Sequence, residues 1–175
     1  SPALNIDYQS LVFATGAEPF RVSITGLPDD ELLSINNLSD YTVFRKRIEN
    51  KKRVLIIGAG FVGCELASDL VAQGYSVNVV DRGEWPLQRS IPSVMGNEIQ
   101  QAMSEQGVIW NLGCTLESVM ESDRQHKTAH LSDGSAIDTD VIVSAIGLAP
   151  NIQLAQTADV VVGRGIVVDE YSQTS

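Results

Sequence analysis

Six consecutive residues, Gly58-Ala59-Gly60-Phe61-Val62-Gly63, have the types and spacing of a turn that cradles a pyrophosphate. In a strand-turn-helix unit the first glycine permits the tight turn and the second lets backbone approach the phosphates. The third lets helix and strand pack closely. The helix N-terminus then faces the ligand with unpaired N–H groups and a positive dipole end. Gly58, Gly60, Phe61, Val62 and Gly63 are therefore the candidate dinucleotide-binding residues. A similar turn occurs in S-adenosylmethionine and other nucleotide folds, so the loop by itself leaves a methyltransferase-type fold open.

Asp81 ends the next apolar run, Ser76 to Val80. A carboxylate there can accept hydrogen bonds from the adenosine ribose hydroxyls and would repel a 2′-phosphate. Charge-assisted hydrogen bonds are worth about 1.5–3 kcal/mol, enough for an NADH over NADPH preference of about ten- to a hundredfold. Its neighbour Arg82 could stack on adenine, or reach a 2′-phosphate and relax this preference. Glu65, beyond Gly63, has two readings: a carboxylate stabilised by the helix dipole, or a catalytic-site residue at the nicotinamide end. Gly147 follows the Ser144-Ala145-Ile146 strand end, which in an open parallel sheet points into the ligand crevice. It marks a turn or a place where backbone approaches the cofactor.

Other candidates carry less chemistry. His126 and His130 have i, i+4 spacing but fall in a turn and on a strand, and read as exposed non-ligands. Cys64 and Cys114 have neither zinc-type nor Cys-x-x-Cys spacing; they read as reduced thiols of a cytoplasmic protein, packed as small hydrophobes. No metal site is expected. Half of the basic residues sit in the run Arg45, Lys46, Arg47, Lys51, Lys52 and Arg53, which reads as a solvated helix face, with docking of an acidic protein partner as the alternative.

The elements that must position these groups alternate between strand and helix at βαβ lengths. Arg53 to Ile57 is a continuous apolar run of the kind buried in a parallel sheet. After the Gly-rich turn comes a helix with Val62, Leu66, Ala67, Leu70 and Val71 on one face, closed by Gly74. Val77 to Val80 is the second strand, Pro92 opens a second helix that Gly107 stops, and Val108 to Trp110 is a third strand. Leu116 to Met120, Thr128 to Leu131 and Ala136 to Ile137, with turns at Ser122-Asp123 and Asp133-Gly134, read as an antiparallel meander. Val141 to Ile146 is one more buried strand. Outside this region lie a strand at Leu11 to Gly16, a helix at 38–52, a short helix at Ile152 to Ala158 and a strand at Gly165 to Asp169. The fold expected is α/β, a Rossmann-like parallel sheet with an antiparallel β-meander.

Composition agrees with a folded domain. The chain has 175 residues, 43% hydrophobic and 19% charged, and at this size folding buries roughly 70% of the unfolded surface without a metal or disulfide staple. Twelve basic against twenty-two acidic residues give a net charge of −10, which disfavours nucleic acid as partner. No run of eighteen apolar residues occurs, and Ser1-Pro2-Ala3-Leu4-Asn5 has neither a basic stretch nor an apolar core, so neither a membrane span nor a signal peptide is expected. The abrupt end after a strand suggests a piece of something longer.

Four segments in order, Leu11 to Pro19, Gly58 to Ala67, Ser144 to Asn151 and Arg164 to Asp169, resemble the flavin-dependent pyridine nucleotide reductases. Within them the rubredoxin and flavorubredoxin reductases look closest, through Gly63-Cys64-Glu65 and Asn36-Asn37-Leu38-Ser39-Asp40-Tyr41. The resemblance implies an FAD domain interrupted by an NAD domain: 1–37 a partial FAD-domain segment, 38–52 a linker helix, 53–152 the NAD(H)-binding domain and 153–175 the return toward the FAD domain. It implies NADH on Gly58, Gly60, Gly63 and Asp81, Glu65 near the nicotinamide and flavin edge, Gly147 on the nicotinamide-ribose side, and Ala14, Thr15 and Gly16 against FAD. The acceptor implied is a small iron–sulfur or rubredoxin-type protein. The family's own FAD-binding Gly-x-Gly-x-x-Gly has no counterpart here, so the chain alone is expected to bind NADH without turning over. A non-catalytic NAD(H)-sensing module and another flavin-dependent NAD(P)H or disulfide oxidoreductase remain alternatives.

Overall fold

A computed structural model describes residues 4–122 and 126–175. Two compact units result, Pro19–Gly147 and a smaller one made of the described residues up to Glu18 with Leu148–Ser175.

The larger unit is built on a parallel sheet of β2 (Leu32–Ser34), β3 (Arg53–Ile57), β4 (Ser76–Asp81), β5 (Val108–Leu112) and β9 (Val141–Ser144), in spatial order β2-β9-β3-β4-β5. The strands are short apolar runs because both faces are covered. On β3, Val54 and Ile56 face one core while Leu55 faces another; on β9, Val141 and Val143 are set against Ile142 in the same way. The first core is closed by α1 (Leu38–Ile48), α2 (Phe61–Ala72) and α3 (Ser93–Gln106), through Phe44, Ile48, Cys64, Ala67, Leu70 and Met103. The second is closed by the antiparallel meander β6 (Leu116–Ser122), β7 (His126–Leu131) and β8 (Ala136–Thr139), through Val119, Ala129 and Leu131. Helices, parallel sheet and antiparallel sheet thus form three layers. Each fully buried Leu, Ile or Val contributes about 1.5–3 kcal/mol.

Local signals set the helix ends. Asn37 caps α1 by accepting from the Asp40 N–H at 2.9 Å, and Asp40 accepts in return from the Asn36 N–H at 3.0 Å, a reciprocal cap. Pro92 precedes α3 and Gly107 ends it.

Several expectations are corrected. The strand read at Leu11 to Gly16 is absent; pairing begins at β1 (Ala17–Pro19), the partner of β10 (Leu148–Pro150). A strand exists only where a ladder partner lies, and the three residues of β10 serve three residues of β1. Gly165 to Asp169 likewise forms one bridge, Val162 to Ile166, and no strand. The N-terminal region contributes more than a lone strand: Leu32–Ser34 pairs with Ile142–Ser144, and Ile24 and Leu27 lie in the core beneath the meander. His126 and His130 both sit on β7, and His130 is half-buried. The turn read at Ser122-Asp123 lies outside the described residues. The short helix α4 spans Gln153–Thr157.

Candidate functional site

Strand order defines where a ligand would sit. From β3 the chain moves through α2 and α3 to β4 and β5 on one side, then returns through the meander to β9 on the other. The order therefore reverses between β3 and β9, and the crevice beyond their carboxyl ends is the ligand position of open α/β sheets. Gly58 follows β3 and Gly147 follows β9, so the topology brings two sequence-distant candidates to one edge of one sheet.

The three glycines differ in what surrounds them. At Gly58, φ is +110°, and an added Cβ would stand 2.6 Å from the Ala145 carbonyl oxygen. At Gly63 it would stand 1.9 Å from the Gly58 carbonyl oxygen, so strand end and helix start touch there. At Gly60 nothing lies within 4 Å: this is the open side. Gly60 is also the N-cap of α2 and offers no side-chain cap. The first bond of the helix is Cys64 N–H to Gly60 C=O at 2.9 Å, so the amides of Phe61, Val62 and Gly63 precede the intrahelical ladder. An uncapped helix start behind an open glycine is an anion-receptive surface.

Around this turn the candidates fall as follows. Asp81 ends β4, with Oδ2 accepting from the Ala59 N–H at 2.7 Å and Oδ1 from the Gly83 N–H at 2.6 Å. Each carboxylate oxygen retains a further lone pair for a ribose hydroxyl. Arg82 is exposed. Gly147 has φ +110°, and its carbonyl accepts from the Phe20 N–H at 3.0 Å. Phe61 and Val62 are 66% and 56% exposed. Val62, which the periodicity places on the buried face, is exposed in the first turn of α2. Glu65 is exposed and, because α2 begins at Phe61, lies in the second turn. The dipole effect fades beyond the first turn, which removes the support for its purely structural reading. Ala14, Thr15 and Gly16 lie in the smaller unit, where Thr15 Oγ1 donates to the Asn151 carbonyl at 2.6 Å and Asn151 Nδ2 donates to the Thr15 carbonyl at 2.9 Å.

The thiols are chemically quiet. Burial pushes the Cys64 thiol up to about 11, with Asp81 adding to the effect, and its Sγ donates to the Ala59 carbonyl at 3.6 Å. Burial also raises Cys114, and the two cysteines are unpaired. Among the described residues no cluster of His, Cys, Asp and Glu could hold a metal ion, and no helix is long and apolar enough to cross a membrane.

Sequence reasoning missed two residues beside the candidate site, one on the glycine turn and one at Gly147. Leu87 donates its N–H to the Ala59 carbonyl at 2.8 Å from a left-handed backbone, φ +59°. Phe20 lines the other side, its ring 3.8 Å from where a Gly147 Cβ would stand. Neither residue type signals these positions.

Fold and loop together define a dinucleotide-binding α/β protein. The family model of the pyridine nucleotide-disulphide oxidoreductases matches residues 2–175, and the chain belongs to that family. It is 39% identical over 171 residues to a rubredoxin-NAD(+) reductase of Acinetobacter baylyi, covering 96% of this chain and 44% of the relative. It is 37% identical over 168 residues to a nitric oxide reductase FlRd-NAD(+) reductase of Aeromonas salmonicida, covering 96% and 43%. Among solved structures, a ferredoxin reductase from Rhodopseudomonas palustris superimposes with a TM-score of 0.88 at 30% identity, over 97% of this chain and 42% of that one. The chain therefore spans less than half the length of the curated relatives it matches.

Proposed function

We propose that this chain is the NADH-binding part of a cytoplasmic FAD-dependent reductase that passes electrons to a small redox protein of rubredoxin or other iron–sulfur type. The observation that carries the reading is the open face at Gly60, set before uncapped amides at the sheet's switch point. The similarity to a rubredoxin-NAD(+) reductase and a ferredoxin reductase supports the acceptor class.

The redox chemistry belongs to the nicotinamide and flavin rings, hydride donation by one and division into single electrons by the other. The protein's part is placement. Gly58, Gly60 and Gly63, with the amides of Phe61 and Val62, seat the pyrophosphate; Asp81 accepts from the adenosine ribose and disfavours a 2′-phosphate. Arg82, exposed next to it, can stack on adenine. Gly147 borders the nicotinamide-ribose side. FAD finds one fitting corner in this chain, at Gly16, where φ is +68° and nothing lies within 4 Å of an added Cβ, flanked by Ala14 and Thr15. The Gly-x-Gly-x-x-Gly at 58–63 is assigned to the pyridine nucleotide.

Calorimetric titration of the chain with NADH and NADPH, after a visible spectrum, tests this reading. NADH should bind, NADPH about tenfold more weakly, and no flavin band should be present. A chain that binds S-adenosylmethionine and neither pyridine nucleotide would overturn it.

Glu65 is proposed at the nicotinamide end, facing the flavin edge. In the flavin-containing full-length enzyme, Glu65→Ala should slow flavin reduction at least severalfold while leaving NADH affinity nearly unchanged. Stopped-flow reduction at the wild-type rate would remove Glu65 from the site.

A further inference from the structure

Ala59, the buried residue inside the glycine turn, is gripped on both sides. Its N–H donates to Asp81 Oδ2 at 2.7 Å, and its carbonyl accepts from the Leu87 N–H at 2.8 Å. Ala59 is 3% exposed, so water does not compete for either bond. We infer that Asp81 and Leu87 are positioning residues which fix the Ala59 peptide, and with it the Gly58–Gly63 turn, before dinucleotide arrives. The inference rests on the dinucleotide-binding reading of that turn and gives Asp81 a task separate from ribose recognition.

The segment that carries the clamp is itself braced. Asp81 Oδ1 holds the Gly83 N–H at 2.6 Å, and the Gly83 carbonyl accepts from the Gly113 N–H at 2.9 Å. Gln88 Oε1 accepts from the Glu84 N–H at 2.6 Å, and the Leu87 carbonyl accepts from the Ser90 and Ile91 amides at 2.7 and 3.0 Å. Trp85 donates from Nε1 to the Ile91 carbonyl at 3.2 Å and fills the space beside Gly96 on α3, where a Cβ would stand 2.1 Å from its ring. Within this brace Leu87 holds φ +59°, a conformation that costs a branched residue free energy and persists only where surroundings over-determine it. The Leu87 side chain packs against the helix-side core, which is the surrounding that does so. The result of the strain is an N–H aimed at the Ala59 carbonyl.

A pyrophosphate seat made of backbone amides works only if the amides are already aligned, because alignment on binding would be subtracted from affinity. Loss of the clamp should therefore weaken any ligand that uses the pyrophosphate seat, whatever its ribose carries.

Three measurements on the chain test this. Asp81→Ala should weaken an NADH analogue lacking both hydroxyls of the adenosine ribose by about tenfold, an amount typical of one charge-assisted hydrogen bond, with Asp81→Asn recovering part of the loss. Equal binding of that analogue to wild type and Asp81→Ala would confine Asp81 to the ribose and overturn its positioning role. At Leu87 the two hypotheses predict opposite orders. Leu87→Gly, which adopts a positive φ freely, should bind NADH better than Leu87→Val, which resists it; a packing role alone would make the glycine variant the worse binder, and that order would overturn the inference. Finally, in the ligand-free chain, amide exchange of Ala59 should accelerate about tenfold in Asp81→Ala relative to the core amide of Leu55, reporting loss of the local bond rather than global opening. An unchanged Ala59 to Leu55 ratio would refute the clamp. If the wild type binds no pyridine nucleotide while the exchange result holds, the ligand reading fails and the clamp stands.

Discussion

Gly58→Ala and Gly60→Ala should both weaken NADH binding by about a hundredfold or more, but only the first should also damage the fold. At Gly58 the new methyl carbon would meet the Ala145 carbonyl oxygen at 2.6 Å and the residue would have to keep φ +110°. Left-handed backbone costs an L-residue about 1–2 kcal/mol and overpacking a further 1–3 kcal/mol, for a total of about 3 kcal/mol. Because the obstacle is backbone at the β3–β9 junction, relief requires the two strand ends to part, and the crevice is remade in the process. Gly60 has φ −78° and nothing within 4 Å, so its alanine variant should melt close to wild type, with a loss no larger than about 1 kcal/mol. The methyl would nonetheless occupy the open approach, and affinity should fall by about a hundredfold or more, the equivalent of losing two charge-assisted hydrogen bonds. Gly134→Ala isolates strain, since φ is +85° there with no atom within 4 Å, in the remote β7–β8 turn; it should cost stability and leave binding untouched. Thermal melts and calorimetric titration of the three variants distinguish these outcomes. Normal NADH affinity in Gly60→Ala would mean that the phosphates sit elsewhere.

The parts of this site that were legible in the sequence are those written in residue type. Arg53 to Ile57 and Val141 to Ile146 read as buried parallel strands because covering both faces demands apolar runs, although the second strand ends at Ser144. The glycine spacing fixed the turn, since close approaches at Gly58 and Gly63 tolerate no side chain. The meander was visible through Asp133-Gly134, a turn pair between alternating segments. What could not be read depends on partners. Leu11 to Gly16 has strand composition but no ladder, whereas Leu32–Ser34, three residues before a capped helix, is a strand because Ile142–Ser144 lies beside it. Leu87 gives no warning of a left-handed backbone, which glycine or asparagine would have given. Glu65 reads as a dipole-stabilised carboxylate only while the helix start is left open: with α2 beginning at Phe61 it lies in the second turn, beyond the dipole's reach.

Asp140→Ala should destabilise the chain by about 3 kcal/mol at neutral pH without touching the ligand crevice, because the network it anchors lies at the opposite, amino-terminal edge of the sheet. The Asp140 side chain is 7% exposed. Its Oδ2 accepts from the Lys52 and Arg53 amides, both at 3.0 Å, and its Oδ1 from Arg53 Nη2 at 2.8 Å. His126 Nδ1 stands 3.2 Å from that Oδ1 and 2.6 Å from Arg53 Nη2. One carboxylate thus ties the starts of β3 and β9 to β7 of the meander. Burial alone would raise the Asp140 carboxyl, but the Arg53 guanidinium and the two amides outweigh it and hold the group well below the usual carboxylate range. Arg53 is raised in return, chiefly by the same hydrogen bond. A folded-state value below the unfolded one, about 3.9, gives a contribution fully present above that value and lost as pH falls toward the folded value. The stability gap between wild type and Asp140→Ala should accordingly be constant from pH 7 to about pH 5 and narrow below about pH 4. Denaturant melts across that range read the gap directly. A gap that persists unchanged to pH 2 would show that the side chain matters through packing and that its charge contributes nothing.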